Sequence, residues 1–517
     1  MAGRAVAIRN WPGQAAAFCV AVLILGTLLV VALRAEATAG FTRADWAVIR
    51  FTLIQAFLSA SISVVLAIPV ARALARRSFP GRQALIVLLG APFILPVIVA
   101  VLGLLAVFGR AGLVNQVGGY FGLPSLSIYG LHGVVLAHVF FNLPLATRLI
   151  LQGWQDIPAE RFRLAAQLGF GPGDYWRVLE WPMLGRVAPQ AMAVIFAICL
   201  SSFAVALTLG GGPKATTVEL AIYQAFSFDF DLGRAALLAC VQIALTALAA
   251  VLAMRLSSDT GFGAGHGRVV RRWDGNSVWP RMQDGLVLIL SSLFLLLPLA
   301  MLVLDGIFNL FNLDKVVFQA ALVSLAVSLA SALLTLALAL PMAVAIGRGV
   351  RWVEVSGLLG IAASPLVIGT GLFVLVFPFA NPADLALPVT ALVNAVMALP
   401  FALRILVPGA RDVVKDFDRL SQSLRMSGLT WVRLVLLPRL RPQIGFAAGL
   451  AAALSMGDLG VIILFADPER ATLPLQMYRL MGSYQMGAAA GAGLLLLMLS
   501  LLLFWLFDRG GRAGVET

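Results

Sequence analysis

The sequence contains one stretch twice. Residues 163–182 read RLAAQLGFGPGDYWRVLEWP, and residues 419–438 read RLSQSLRMSGLTWVRLVLLP. The copies align without a gap at a spacing of 256 residues, and the same spacing pairs Leu143-Pro144 with Leu399-Pro400. A register that holds over about 40 residues indicates an internal repeat, so the chain is predicted to consist of two homologous halves.

The composition on either side of these stretches is that of an integral membrane protein. Of the 517 residues, 61% are hydrophobic and 12% are charged, which is too apolar for a soluble protein of this size. Apolar runs of about 18 to 25 residues can cross a bilayer as helices, and runs this long predict helices rather than barrel strands. Twelve such runs begin near Ala16, Thr52, Ala84, Gly133, Gln190, Ala235, Gly285, Val317, Val355, Val389, Gly445 and Met486.

The predicted fold is therefore an all-α polytopic membrane protein with about twelve transmembrane helices in two six-helix halves. Residues 1–256 form the first half, including a loop at 156–188, and residues 284–517 form the second half, including a loop at 411–443. A polar, glycine-rich linker at 257–283 joins them. An even number of spans gives both halves the same orientation, which predicts an axis along the membrane normal and a pathway between the halves.

The charge distribution predicts the orientation. The net charge is +13, but with both termini in the cytoplasm most of the Lys and Arg residues fall on cytoplasmic segments. This is the positive-inside pattern, and it explains the basic composition without a nucleic-acid partner. The apolar run at 15–33 is longer than a signal-peptide core, so it is interpreted as an uncleaved first span. The three cysteines lie in apolar runs and are interpreted as buried hydrophobic residues.

Each repeated loop is predicted to hold a short amphipathic helix, a glycine break and a second short helix. In the first copy, Glu160 precedes an apolar stripe formed by Phe162, Leu164, Ala165 and Leu168, and Gly169 ends the helix. A cytoplasmic amphipathic helix can fill a groove on a partner protein. The alternative is that it lies on the bilayer surface, but the repetition favours docking to a partner.

Catalytic and metal sites are not predicted. A phosphate-binding Walker loop needs Gly-Lys-Ser or Gly-Lys-Thr, whereas the three lysines follow Pro213, Asp314 and Val414. The histidines are scattered along the sequence, which does not favour a zinc site or a general base.

The best candidate for a charged group in the pathway is Asp458, which lies between two glycines in the eleventh apolar run. A buried carboxylate is costly unless it faces a cavity or a partner group. One hypothesis is that Asp458 lines the pathway and favours a cationic solute. The other is that it only binds backbone groups that the neighbouring glycines leave free.

The repeated loop resembles the EAA signature of bacterial ABC importer permeases, which has Glu-Ala-Ala, a Gly six positions after the Glu, and a terminal Pro thirteen positions after that Gly. Gly169, Pro182 and Ala165 fit this spacing, whereas Arg163 replaces the Glu and Leu164 the first Ala. In that family the loop docks on a separate ATP-binding subunit. The resemblance implies that the docking residues are Arg163, Leu164, Ala165, Ala166, Leu168, Gly169 and Pro182, with Arg419, Leu420, Leu424, Arg425 and Pro438 in the second copy.

Within that family, the chain is similar to fused two-half permeases for thiamine and its phosphates, and the alternative within the family is ferric iron. The similar stretches include 55–60, 79–82, 137–144, 164–169, 209–224, 457–458, 472–474 and 482–484. The resemblance implies a type I importer permease in the bacterial inner membrane, with no cofactor of its own. It also implies ATP-Mg on the ATPase subunit and a periplasmic solute-binding protein, and the two docking loops suggest two copies of the ATPase.

Lys214 and Arg470 occupy matching positions on the outer side of the two halves. We hypothesise that they meet acidic residues on the two lobes of the binding protein, because complementary charges fix the docking register. Two other classes compete with an importer permease. An ion-coupled secondary transporter would be expected to carry more charged groups in its spans, and a membrane-embedded enzyme would need a cluster of catalytic residues.

Overall fold

The computed structural model describes residues 10–35, 40–89, 95–256, 277–424, 426, 428–465 and 470–512, and these residues contain no β-strand. The first half consists of α1 (Trp11–Arg34), α2 (Arg43–Arg76), α3 (Arg82–Leu88), α4 (Val97–Phe108), α5 (Leu113–Tyr120), α6 (Leu131–Gln155), α7 (Ala159–Gln167), α8 (Pro172–Asp174), α9 (Trp181–Leu200), α10 (Ala204–Leu209), α11 (Val218–Ser227) and α12 (Leu232–Leu256).

The second half consists of α13 (Val278–Leu310), α14 (Lys315–Gly347), α15 (Arg351–Ala362), α16 (Pro365–Val376), α17 (Ala386–Ser423), α18 (Leu429–Trp431), α19 (Leu437–Met456), α20 (Leu473–Gly482) and α21 (Met486–Arg512). The predicted all-α polytopic fold is confirmed. Residues 257–276 of the predicted linker lie outside the described residues, and its last residues belong to α13.

Within the described residues, fewer helices than the predicted number of about twelve have the length and composition of a membrane span. Ten helical segments in the described residues are long and apolar enough to cross a membrane, or eleven if one bent pair of helices counts as a span. The predicted eleventh span is α19, which already begins at Leu437 and carries Arg439, Arg441 and Gln443 in its first turns. These polar residues leave too short an apolar stretch for α19 to qualify by composition.

Prolines interrupt the predicted third and ninth spans. The third was expected from Ala84 as one run, but α3 ends at Leu88 and α4 starts after Pro96. In the second half, α15 and α16 are bent by 94° at a break next to Pro365, with Ser364 as the N-cap of α16. A residue before proline is disfavoured in the α conformation, which explains why α4 begins only after Pro96 and why Ser364 lies outside α16 as its N-cap.

The first helix of each half packs against the other half. Helix α1 contacts α14, α15 and α16, and α13 contacts α2 and α4. Small residues allow these close approaches: a Cβ on Gly371 of α16 would lie 2.7 Å from the Thr27 carbonyl oxygen of α1, and one on Gly103 would lie 2.5 Å from the Pro298 carbonyl oxygen. The two halves therefore exchange their first helices and form one bundle.

A pair of equivalent hydrogen bonds shows how closely the halves match. The first N–H of α11, at Val218, donates to Thr52 of α2 at 2.9 Å, and the first N–H of α20, at Leu473, donates to Ser324 of α14 at 2.7 Å. Thr52 and Ser324 each lie roughly 14 Å along the helix axis from the first residue of their helix, because an α-helix rises by about 1.5 Å per residue. Helices α11 and α20 are therefore held at the same depth in the bundle.

Candidate docking and solute sites

The first docking segment, which we define as residues 159–169, is a short amphipathic helix as predicted. Helix α7 follows Pro158, has Glu160 in its first turn, and is followed by Gly169 at a φ of +70°. An acidic group near a helix N-terminus interacts favourably with the helix dipole. A positive φ favours glycine because a side chain would be strained there.

The predicted apolar stripe divides into two faces. Phe162 and Ala165 are buried, and the Phe162 ring stacks on Tyr175 with centroids 6.3 Å apart. In contrast, Leu164 and Leu168 are 56% and 64% exposed. The buried face therefore holds the segment on the bundle, whereas the two leucines form an apolar surface that the chain itself does not cover.

The second docking segment, residues 417–424, presents leucines at the same positions. Leu420 and Leu424 are 53% and 62% exposed. Unlike the first segment, it is the end of the 38-residue helix α17. Val414 stands where the first copy has Pro158, so no proline separates this segment from the preceding helix.

The remaining predicted docking residues lie on or next to these segments. Exposed on the protein surface are Arg163, Gly169, Pro182, Arg419 and Pro438, whereas Ala166 is partly buried. Arg425 lies outside the described residues. A groove of about 750 Å³ beside α7 is lined by residues that include Arg163, Ala166 and Tyr175.

The second helix of each repeat is not the short separate helix that the sequence predicts. After α8, a π-helical turn at Tyr175–Glu180 runs directly into α9, and a π-helical turn at Val432–Leu436 runs into α19. Pro182 and Pro438 follow these turns. Proline lacks an N–H and crowds the carbonyl of the preceding turn, and a local π turn accommodates such a residue without ending the helix.

A buried ion pair attaches the first repeat to the bundle. Glu180 is fully buried, and its carboxylate lies 2.9 Å from Arg72 Nε of α2. The Trp154 indole of α6 donates to the same carboxylate at 3.2 Å, and the Arg72 guanidinium lies 5.2 Å from the Trp176 ring. Glu180 was not predictable from the sequence, because its burial depends on the packing of three helices.

A different ion pair performs this attachment in the second repeat. Arg348, at the end of α14, donates to both carboxylate oxygens of Asp418 at 3.1 and 3.2 Å. Its guanidinium also lies 5.0 Å from the ring of the buried Trp431. In each half an arginine at the end of the second long helix thus joins a carboxylate and a tryptophan of the repeated region.

Asp458 lies just after α19, where the two halves meet. Its carboxylate accepts hydrogen bonds from the backbone N–H groups of Gly460 at 3.2 Å and Val461 at 3.4 Å. A Cβ on Gly457 would lie 2.9 Å from Pro96 of the first half. Among the described residues, no arginine or lysine forms an ion pair with Asp458. Its contacts with backbone are those of the second hypothesis, and its position at the interface is that required by the first.

Hydrogen-bonded polar side chains lie close to Asp458 in the second half and to the equivalent residue, Ser202, in the first half. In the first half, His138 contacts Ser59 at 3.3 Å and Ser202 at 2.7 Å, and Ser202 stands 256 residues before Asp458. In the second half, Asn394, the counterpart of His138, donates to Ser455 at 3.1 Å, and Ser455 donates to Ser331 at 2.9 Å.

Glu219 is a second buried carboxylate that was not predictable from the sequence. It is 1% exposed near the start of α11 and accepts a hydrogen bond from Gln242 of α12 at 3.2 Å. Its position in the first turn of α11 gave no signal of burial, because an acidic residue in a first helical turn is usually solvent-exposed. Lys214 and Arg470, the candidate binding-protein contacts, are both exposed and precede α11 and α20.

The chain is similar along nearly its whole length to several bacterial permeases. It is 39% identical over 524 residues to the thiamine transport system permease protein ThiP of Brucella abortus (strain 2308). This alignment covers 98% of this chain and 96% of that protein. The ThiP proteins of Salmonella typhimurium and Escherichia coli (strain K12) are 39% and 40% identical over 523 and 487 residues. These alignments cover 97% and 91% of this chain, and 97% and 90% of the relatives. No protein-family model matches the chain.

Proposed function

The chain belongs to the family of bacterial thiamine transport system permease proteins, and we propose that it is the transmembrane subunit of an ATP-driven importer of thiamine, its phosphates or both. It is a multi-pass protein of the inner membrane, and we place both termini in the cytoplasm on the basis of the charge distribution. The relatives support thiamine over the alternative of ferric iron. A transport subunit has no need of catalytic residues, and in our proposal ATP-Mg binds to a separate ATPase.

The observation that carries the proposal is the matched pair of exposed leucines in the two docking segments. Leu164 and Leu168, like Leu420 and Leu424, are separated by four residues on a helix and therefore lie on one face. Apolar side chains at this spacing are typical anchors of a helix that binds in a groove. Two such segments match two copies of the ATPase.

The attachments of the docking segments supply a route for transmitting motion. Closure of the ATPase subunits on ATP would move both segments, and the ion pairs at Glu180 and Asp418 connect the regions around them to α2 and α14. Rocking of the two halves around a site at their interface is sufficient for alternating access. In this mechanism the residues of the chain bind partners and transmit movement, and none reacts with ATP.

The outer side has two matched basic residues for a solute-binding protein. Lys214 and Arg470 are exposed and stand three and two residues before the N-caps Thr217 and Thr472. We propose that each contacts an acidic residue on one lobe of the binding protein. Charge reversal at both positions is expected to abolish the stimulation of ATP hydrolysis by the binding protein.

The proposed function is tested by uptake of labelled thiamine into cells that lack their own importer. The permease is supplied with its cognate ATPase and binding protein, and labelled ferric iron is measured in parallel. We expect uptake of thiamine and not of iron. Uptake of iron alone would keep the permease assignment and overturn the solute.

Docking is tested by the double variant Leu164→Glu/Leu168→Glu. A charge in place of each exposed leucine is expected to prevent co-purification of the ATPase and to reduce thiamine uptake at least about tenfold, because a desolvated unpaired charge costs more than 1.4 kcal/mol. The matched control is Leu164→Met/Leu168→Met, which keeps an apolar surface and is expected to retain both activities. Normal co-purification of the ATPase with the glutamate variant would contradict docking at this segment.

A further inference from the structure

We infer that the interface between the two halves holds a site for a flat aromatic cation, with Tyr223 and Tyr478 as its walls and Asp458 as its counter-ion. The inference rests on the proposed function and specifies where the chain holds its solute during transport. It follows from the symmetry of the two halves, from the contacts around Asp458, and from the charge of the solute.

The two tyrosines occupy the same position in equivalent helices. Tyr223 is the sixth residue of α11, and Tyr478 is the sixth residue of α20. Both helices are fixed at the same depth by hydrogen bonds to α2 and α14. The phenol groups of Tyr223 and Tyr478 are close enough for their charges to interact. Equivalent residues of two symmetry-related halves can approach each other only near the axis between them. The tyrosine pair therefore marks the axis on which the pathway is expected.

Contacts connect this pair to Asp458. The Phe203 ring lies 5.5 Å from the Tyr223 ring, centroid to centroid. A Cβ on Gly460 would lie 4.0 Å from the Phe203 ring, and the Gly460 N–H donates to the Asp458 carboxylate. Helix α11 also contacts the turn at Ile462–Leu464, which follows Asp458. The carboxylate therefore lies in a turn that contacts aromatic groups of the first half.

The two halves contribute different charges at this level. Ser202 occupies the position of Asp458 in the first half, and both residues are only partly buried. Within the described residues no basic side chain neutralises Asp458. A carboxylate in a membrane protein is stabilised by a cation. The interface thus offers one negative charge to a solute.

Thiamine matches these groups. It carries a permanent positive charge on an aromatic five-membered ring, and a second flat ring is attached. A cation near the face of a tyrosine ring gains about 0.5–2 kcal/mol, and a carboxylate attracts the ring cation by its opposite charge, without a hydrogen bond, because the quaternary nitrogen has no N–H. Two tyrosines and one carboxylate therefore recognise the shape and the charge of such a cation together.

The test is binding of labelled thiamine to the purified permease–ATPase complex without the binding protein. Asp458→Asn keeps an oxygen that can accept the Gly460 N–H but removes the charge, and we expect about tenfold weaker binding. Tyr478→Leu is expected to weaken binding several-fold, whereas Tyr478→Phe, which keeps the aromatic face, is expected to bind like the wild type. Unchanged binding by Asp458→Asn and Tyr478→Leu would overturn the inference. The only role left for the Asp458 side chain would then be its hydrogen bonds to backbone N–H groups.

Relocation of the carboxylate separates a solute site from a purely structural role. In the double variant Ser202→Asp/Asp458→Ser the charge stands at the equivalent position across the interface, and we expect it to recover most of the thiamine binding that Asp458→Ser loses. If Asp458 only stabilised its own turn, the second substitution would not restore binding. Absence of thiamine uptake by the wild-type importer would refute the proposed function, whereas normal wild-type uptake with unaffected variants would refute this inference alone.

Discussion

At the scale of single residues, Glu180 is the group on which the first repeat depends most. Its carboxylate is fully buried between α2, α6 and the π-helical turn that contains it, and Arg72 and Trp154 both contact it. Removing one partner of a buried ion pair leaves the other charge without compensation and costs about 3–5 kcal/mol. The Arg72 side chain is 24% exposed, so contact with water partly compensates its charge and reduces this cost.

We expect Glu180→Gln to destabilise the purified protein by about 1–3 kcal/mol, because glutamine can still accept from Trp154 but does not neutralise Arg72. The measurement is thermal unfolding in detergent. The control is Asp508→Asn, which removes an exposed ion pair with Arg512 and is expected to change stability by less than about 0.5 kcal/mol. Equal effects of the two substitutions would show that the buried pair does not stabilise the repeat.

At the scale of helices, the exchange of α1 between the halves depends on places where backbones nearly touch. A Cβ on Gly13 of α1 would overlap the Pro341 carbonyl oxygen of α14, and Gly371 makes a similar close approach to Thr27. Contacts this close with backbone cannot be relieved by turning a side chain. Small residues at such crossings are a general feature of packed membrane helices.

Gly371→Val is therefore expected to separate α1 from α16 and to lower the midpoint of thermal unfolding. Overpacking of a closely packed site typically costs about 1–3 kcal/mol. Gly26, on α1 itself, provides the control, because a Cβ there meets nothing within 4 Å. Gly26→Val should leave the midpoint nearly unchanged, and a loss of stability as large as that of Gly371→Val would argue against the role of the close contact.

At the scale of the whole molecule, the repeat and the apolar runs were sufficient to predict the fold class, because both signals extend over many residues. They were not sufficient to predict where helices break or continue. Pro158 separates the first docking segment from α6, whereas Val414 leaves the second joined to α17. The burial of Glu180 and Glu219 was also missed, because it depends on helices that are distant in sequence. Asp458 could be predicted as a candidate because it lies in an apolar run, but its aromatic neighbours belong mostly to other segments.

The exchanged helices make a prediction about the whole bundle. Because α1 packs on the second half and α13 on the first, the halves should associate even when they are separate chains. We expect residues 1–262 and 263–517, expressed together, to co-purify and to support thiamine uptake with the ATPase and binding protein. Removing residues 1–35 from the first chain deletes α1 and is expected to reduce co-purification strongly, since α13 alone would then connect the halves by exchange. If the two chains purified separately, the covalent connection rather than the exchange of α1 and α13 would be what holds the permease together.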